Sequence, residues 1–121
     1  SVKVVSVFRS PRALTYGMDP DNVSYERMAD QFRDKAESDC EAARKVLEAQ
    51  GFQVSTLTVM GEPASAIINL AEREQPDLIV LGSHGKSGIQ RFLLGSVSER
   101  VLRYAPFSTL VIKLPREGSG E

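Results

Sequence analysis

The chain has 121 residues, enough for one compact domain with a real core and too few for two. It is 41% hydrophobic and 26% charged with a formal net charge of −1, which removes any general electrostatic reason to expect nucleic acid or an anionic membrane as partner. No apolar run approaches the roughly 20 residues that span a bilayer. No charged-then-apolar leader opens the chain, and the single cysteine, Cys40, cannot close an internal disulfide, so a reducing cytoplasm is the expected compartment.

Val2 to Phe8 (VKVVSVF) is apolar and β-branched and predicts a strand from the first residues. Starting inside an element, and on Ser rather than Met, marks the chain as processed or as a fragment. Arg9 to Val23 carries Pro, Gly and Asp and is expected as a long connecting loop. From Ser24 the pattern turns helical, with Tyr25, Met28, Ala29, Phe32, Ala36, Cys40, Ala43 and Leu47 on one face and charges on the other, until Gly51 stops it. Phe52 to Met60 predicts a second strand whose alternation slips between Val54 and Leu57.

Gly61-Glu62-Pro63 opens a second helix with a buried stripe of Ala64, Ile67, Ile68 and Ala71, ending near Glu74 because Gln75 precedes Pro76. Leu78 to Leu81 is four apolar residues in a row, the pattern of a strand buried on both faces. A glycine-rich loop follows, then a helix from Ser96 to about Tyr104, then a fourth strand, Ser108 to Leu114. Residues 1–114 are expected as one domain, with 115–121 a disordered polar tail. Strands alternating with helices imply an α/β fold with a parallel sheet, right-handed crossovers and helices on both faces.

The chemistry concentrates between Leu78 and Arg103 (LIVLGSHGKSGIQRFLLGSVSERVLR). A strand running into Gly82, Gly85, Gly88 and Gly95 and then a helix start makes an anion site, because free backbone N–H groups and the helix dipole point at the ligand. Ser96 with Glu99 three residues later has the form of a capping box. A Walker loop requires a Gly separated by four intervening residues from Gly85-Lys86-Ser87, where Val80 stands, and the dinucleotide fingerprint fails because Gly82, Gly85 and Gly88 are spaced by three. What remains is Gly82-x2-Gly85-x9-Gly95-Ser96, whose small residues allow positive φ and close approach of a ligand to the backbone. A tight turn with an ordinary helix cap is the plain alternative.

GSHGKSGIQRFLLGSVSERVLRYAPFSTLVIK resembles the C-terminal half of the universal stress protein (UspA-like) family, in particular its ATP-binding branch, whose G-x2-G-x9-G-[S/T] motif is met at Gly82, Gly85, Gly95 and Ser96. The likeness extends upstream through GEPASAIINLAEREQPDLIVLG to the first strand. The resemblance implies a Rossmann-like doubly wound fold of the adenine nucleotide alpha hydrolase type, with ATP as ligand and Mg²⁺ accompanying its phosphates. It assigns ribose and phosphate contacts to Gly82, Gly85, Gly95, Ser96 and Val97, a backbone adenine contact to Val7, and a lining role to Leu81. It also implies a homodimer through the last strand, Ser108 to Leu114. One departure stands out: family domains begin with a further strand, an Asp-containing loop and a helix, and this chain lacks that first βα unit. Either something outside the sequence supplies it, or the sheet closes without it.

The same loop places Ser83, His84, Lys86 and Ser98 beside the ligand. His84 is the only histidine, too few for a metal site or a triad, and is expected as a solvated loop residue. Lys86 and Arg91 could neutralise phosphate, while Ser87, Ser96 and Ser98 are candidate phosphate acceptors if the protein phosphorylates itself. Cys40 falls on the apolar stripe of the long helix and is expected to pack. With no positioned base and no metal-holding acid, hydrolysis should be weak or absent and no catalytic or metal-ligating residue is assigned. Two functions remain open: an ATP-binding stress or regulatory protein, and a nucleotide-free dimeric interaction module or fragment of a larger protein.

Overall fold

A computed structural model describes residues 1–14, 17, 24–82 and 94–113. Within them the elements run β1 (Val2–Phe8), α1 (Pro11–Leu14), α2 (Tyr25–Ala49), β2 (Val54–Met60), α3 (Pro63–Glu74), β3 (Ile79–Gly82), α4 (Ser96–Tyr104) and β4 (Thr109–Ile112). The chain divides into two compact units, Ser1–Ala66 and Ile67–Glu121. The tail from residue 114 onward, like the loop at residues 83–93, lies outside the described residues.

In the first unit β1 pairs with β2 in parallel, from Val2 opposite Val54 to Phe8 opposite Met60. That unbroken register resolves the slip in the β2 pattern. Successive side chains alternate faces, so Thr56 and Thr58 share one face while Leu57 and Val59 share the other. The α2 helix packs on both strands of this sheet. Every residue expected on its apolar stripe is half-buried or better, with Ala36 and Cys40 buried outright. Both ends of α2 are closed by the chain itself. Ser24 is extended (φ −95°, ψ 93°), and its hydroxyl accepts from the Arg27 N–H. At the other end Gly51 takes φ +94°, which only glycine adopts cheaply. The Gly51 N–H then donates to the Glu48 carbonyl and the Phe52 N–H to that of Leu47, a Schellman closure.

One feature of this stretch differs from expectation, and a second adds detail to a helix start that is met at Pro63. The loop from Arg9 begins with a short helical turn, α1, because Pro11 has its φ preset at the first helical position and the Ser10 hydroxyl accepts from the Arg12 N–H at 3.3 Å. The Arg12 guanidinium then lies 4.5 Å from the centroid of the Tyr25 ring on α2. The start of α3 is capped from one residue earlier than Pro63: the Glu62 carboxylate accepts from the Ser65 N–H at 2.9 Å and the Ala64 N–H at 3.4 Å.

In the second unit β3 pairs with β4 in parallel, Ile79 opposite Thr109 through Gly82 opposite Ile112. Leu70 and Ala71 of α3 and Val101 of α4 supply its buried apolar side chains. The expectation that the third strand is buried on both faces is not met. Val80 is 54% exposed, and Leu110 and Ile112 on the same sheet face are 49% and 44% exposed. The cause is the extent of the sheet. The described strands form two two-stranded sheets, so β3 has one strand neighbour and its apolar run is not enclosed.

Candidate functional site

Of the residues the motif singles out, Leu81, Gly82, Gly95, Ser96, Val97 and Ser98 are described and belong to the second unit; Val7 belongs to the first. Ser83, His84, Gly85 and Lys86, with Ser87, Gly88 and Arg91, lie outside the described residues.

The strand β3 ends on Gly82, and α4 starts after Gly95. One hydrogen bond ties these two termini together: the Ser98 hydroxyl donates to the Gly82 carbonyl at 2.5 Å. Ser98 is 4% exposed and Gly82 half-buried, so the bond is partly screened from water and losing it would leave the buried Ser98 site without its hydroxyl contact to the end of β3. Both ends of the glycine loop are thereby held in register by a side chain of α4. This clamp follows from no motif. Its only trace in the sequence is spacing, because Ser98 shares a helical face with Val101 and Ala105 and so sits on the buried side.

The capping box expected at Ser96 is not formed. Gly95 is the N-cap, with φ −64° and ψ 156°, and no side chain caps the helix. The first intrahelical bond runs from the Glu99 N–H to the Gly95 carbonyl at 2.9 Å. The Glu99 carboxylate turns forward to Arg103 instead of back, accepting from Nε at 2.9 Å and also from Nη2. That pairing raises the Arg103 pKa, chiefly through the hydrogen bond to Glu99. Gly95 also departs from the expected positive φ: its backbone is ordinary extended chain, so what it offers is the missing Cβ rather than a left-handed turn.

The N–H groups of Ser96, Val97 and Ser98 precede the first intrahelical bond and have no capping side chain. With the positive end of the helix dipole behind them, they form a donor set suited to an anion. Glu99 is the only acidic residue in the first turn of α4, and Arg103 already pairs with it.

Val7 presents a different kind of chemistry. In the β1–β2 ladder the Val2 N–H donates to the Gln53 carbonyl, and the Phe8 carbonyl accepts from the Gly61 N–H. Even-numbered residues of β1 therefore face β2, and the N–H and C=O of Val5 and Val7 project from the opposite edge. A donor and an acceptor side by side on one residue match the paired acceptor and donor on the Watson–Crick edge of an adenine.

A groove of about 380 Å³ on the first unit is lined by Glu37, Cys40, Glu41, Thr56, Leu57 and Thr58. Two carboxylates on its wall oppose an anionic ligand, so it is a poor seat for phosphates. The Cys40 thiol points at the carbonyls of Leu57 and Val4, at 3.7 and 3.9 Å, and burial pushes its pKa up. It stays protonated and packs, as its place on the stripe implied. Among the described residues no group of His, Cys, Asp and Glu could hold a metal ion, and no helix is long and apolar enough to cross a membrane.

The model of the universal stress protein family matches residues 1–113. The chain belongs to the universal stress protein family. Among its relatives, universal stress protein MJ0531 of Methanocaldococcus jannaschii is 36% identical over 98 residues, 81% of this chain and 58% of that protein. Universal stress protein MJ0577 of the same organism is 38% identical, over 76% of this chain and 59% of the relative. The chain thus spans under two thirds of the length of these relatives. The solved structure of hypothetical protein MJ0577 superimposes with a TM-score of 0.79 at 30% identity, covering 95% of this chain and 76% of that one. That of hypothetical protein PH0823 gives 0.69 at 26% identity, with 96% and 77% covered. The α/β architecture with parallel strand pairs is accordingly the Rossmann-like fold of this family.

Proposed function

We propose that the chain is an ATP-binding regulatory domain of the universal stress protein family, in which the N-terminus of α4 holds the phosphates. The single observation that carries this reading is the helix start: Gly95 gives no side-chain cap, and the N–H groups of Ser96, Val97 and Ser98 lie before the first intrahelical bond, with no acceptor among the described residues, at the end of a G-x2-G-x9-G-[S/T] motif. Gly95 without a Cβ lets an oxygen ligand reach those donors. Ser98 positions them by clamping α4 to the end of β3.

A phosphate-rich ligand brings Mg²⁺ with it, and among the described residues no acidic cluster competes for the ion, so the metal would be held by the phosphate oxygens. No described residue is placed to activate a water, which favours retention of ATP over rapid hydrolysis. The outer edge of β4, where Thr109 and Val111 turn their backbone away from β3, is the surface we assign to a homodimer. The lone buried thiol suits the cytoplasm.

Titration calorimetry with Mg·ATP tests the reading. Binding by the native chain and at least a tenfold loss in Gly95→Val is the expected result, and the backbone of Gly95 accepts the substitution without strain. No heat from the native chain, or equal affinity in the variant, contradicts it. A nucleotide-free interaction module is favoured by one observation, the exposed apolar face of Val80, Leu110 and Ile112, and becomes the better reading if calorimetry is silent.

A further inference from the structure

The first turn of α4 contains an anion of its own. Glu99 stands three residues after Ser96 and four after Gly95, so the three share one face of the helix. Helix side chains tilt toward the N-terminus, which inclines a glutamate at this position back toward the uncapped donors. A carboxylate is attracted to free N–H groups and to the positive end of the dipole, as a phosphate is. An unrestrained Glu99 therefore competes with any anionic ligand for the same place.

That competitor is held off. Arg103, one turn further along, donates from Nε at 2.9 Å and from Nη2 to the same Glu99 oxygen, Oε2. Hydrogen bonds in which both partners are charged are stronger than neutral ones, and this pair turns the carboxylate away from Gly95. The consequence is already visible at the helix start, where the letters of a capping box are present and no side chain caps.

We propose that Arg103 is a positioning residue that keeps the start of α4 open, by restraining a carboxylate that otherwise closes it as an internal cap. The inference rests on the reading of this helix start as the phosphate site and adds what controls it. Loss of the Arg103–Glu99 pair shuts the site from within. Arg103 acts through Glu99 and touches no ligand.

A double-mutant cycle on the full chain, read by titration calorimetry with Mg·ATP, separates this role from packing and from direct phosphate contact. The Arg103 side chain is 63% exposed, so its removal leaves no cavity. Arg103→Ala should lose at least fivefold in affinity, and Arg103→Lys, which keeps a cation within reach of Glu99, less than twofold. Glu99→Gln combined with Arg103→Ala should bind within twofold of Glu99→Gln alone, because no carboxylate is left to restrain. Native affinity in Arg103→Ala overturns the proposal. So does an equal loss with and without Glu99→Gln, which would mark Arg103 as acting on the ligand or the fold directly.

The ligand-free protein supplies a readout that needs no nucleotide. Backbone amide resonances of Ser96 and Val97 should move downfield in Arg103→Ala, as they gain the carboxylate, and return when Glu99→Gln is added. Unmoved resonances overturn the proposal whether or not ATP binds. Moved resonances in a chain that binds no ATP would support the internal cap and sink the nucleotide reading, so the two failures are told apart.

Discussion

The two units use the same ingredients, a parallel strand pair and a helix, and finish their helices in opposite ways. In the first, the 25 residues of α2 are closed at both ends by Ser24 and by the Gly51 turn. In the second, the nine residues of α4 begin on Gly95 with no side-chain cap. A cap satisfies helix donors within the protein, and its absence leaves them for a ligand. On the proposed reading the contrast separates stability from binding along one chain: α2 contributes packing and closure, and α4 contributes the donors assigned to phosphate.

The largest expected effect comes from Val101, which has no exposed surface. Val101→Asp places an unpaired charge there at a cost of several kcal/mol, and thermal denaturation should show the second unit unfolded together with loss of ATP binding. Retained native-like melting would mean that α4 is not packed as described. The next test sets Ser98→Ala against Ser24→Ala. Loss of the buried hydroxyl bond to Gly82 should lower stability by about 1–3 kcal/mol and weaken ATP as well, because the loop ends lose their clamp. Loss of the α2 cap should cost about 1 kcal/mol and leave ATP affinity unchanged. If both variants weaken ATP equally, the division of labour between the units fails.

The smallest effect is on pH dependence. Burial raises the Cys40 pKa, so the folded state holds its proton more tightly than the unfolded state does. The stability this contributes is complete below the thiol's unfolded pKa and is lost as pH rises through the folded one. Denaturant titrations between neutral and alkaline pH should therefore show a decline that Cys40→Ala flattens. An identical alkaline slope in the variant would remove Cys40 as its source.

The helix α2 was legible because periodicity, Ser24 and Gly51 are local signals that agree over many residues. The start of α4 was legible as a helix and misread as a capping box. Ser96-x-x-Glu99 has the right letters, yet Arg103, one turn further on, draws the Glu99 carboxylate forward. The enclosure of β3 was misread for a longer-range reason. Four apolar residues report what a strand can bury, whereas the number of its neighbours depends on pairings far along the chain, and Val80 ends half exposed. Spacing was enough to mark Gly82, Gly95 and Ser96, but the bond from Ser98 to Gly82 spans 16 residues and no local pattern announces it.

The central claim is that the open start of α4 grips phosphate, and the amides themselves can report it. Titrating Mg·ATP into the labelled protein should shift the backbone amide resonances of Ser96, Val97 and Ser98 downfield, as N–H groups do when they gain charged acceptors, and leave those of Arg27 and its neighbours on α2 in place. Shifts absent from α4, or spread evenly over both helices, would contradict it.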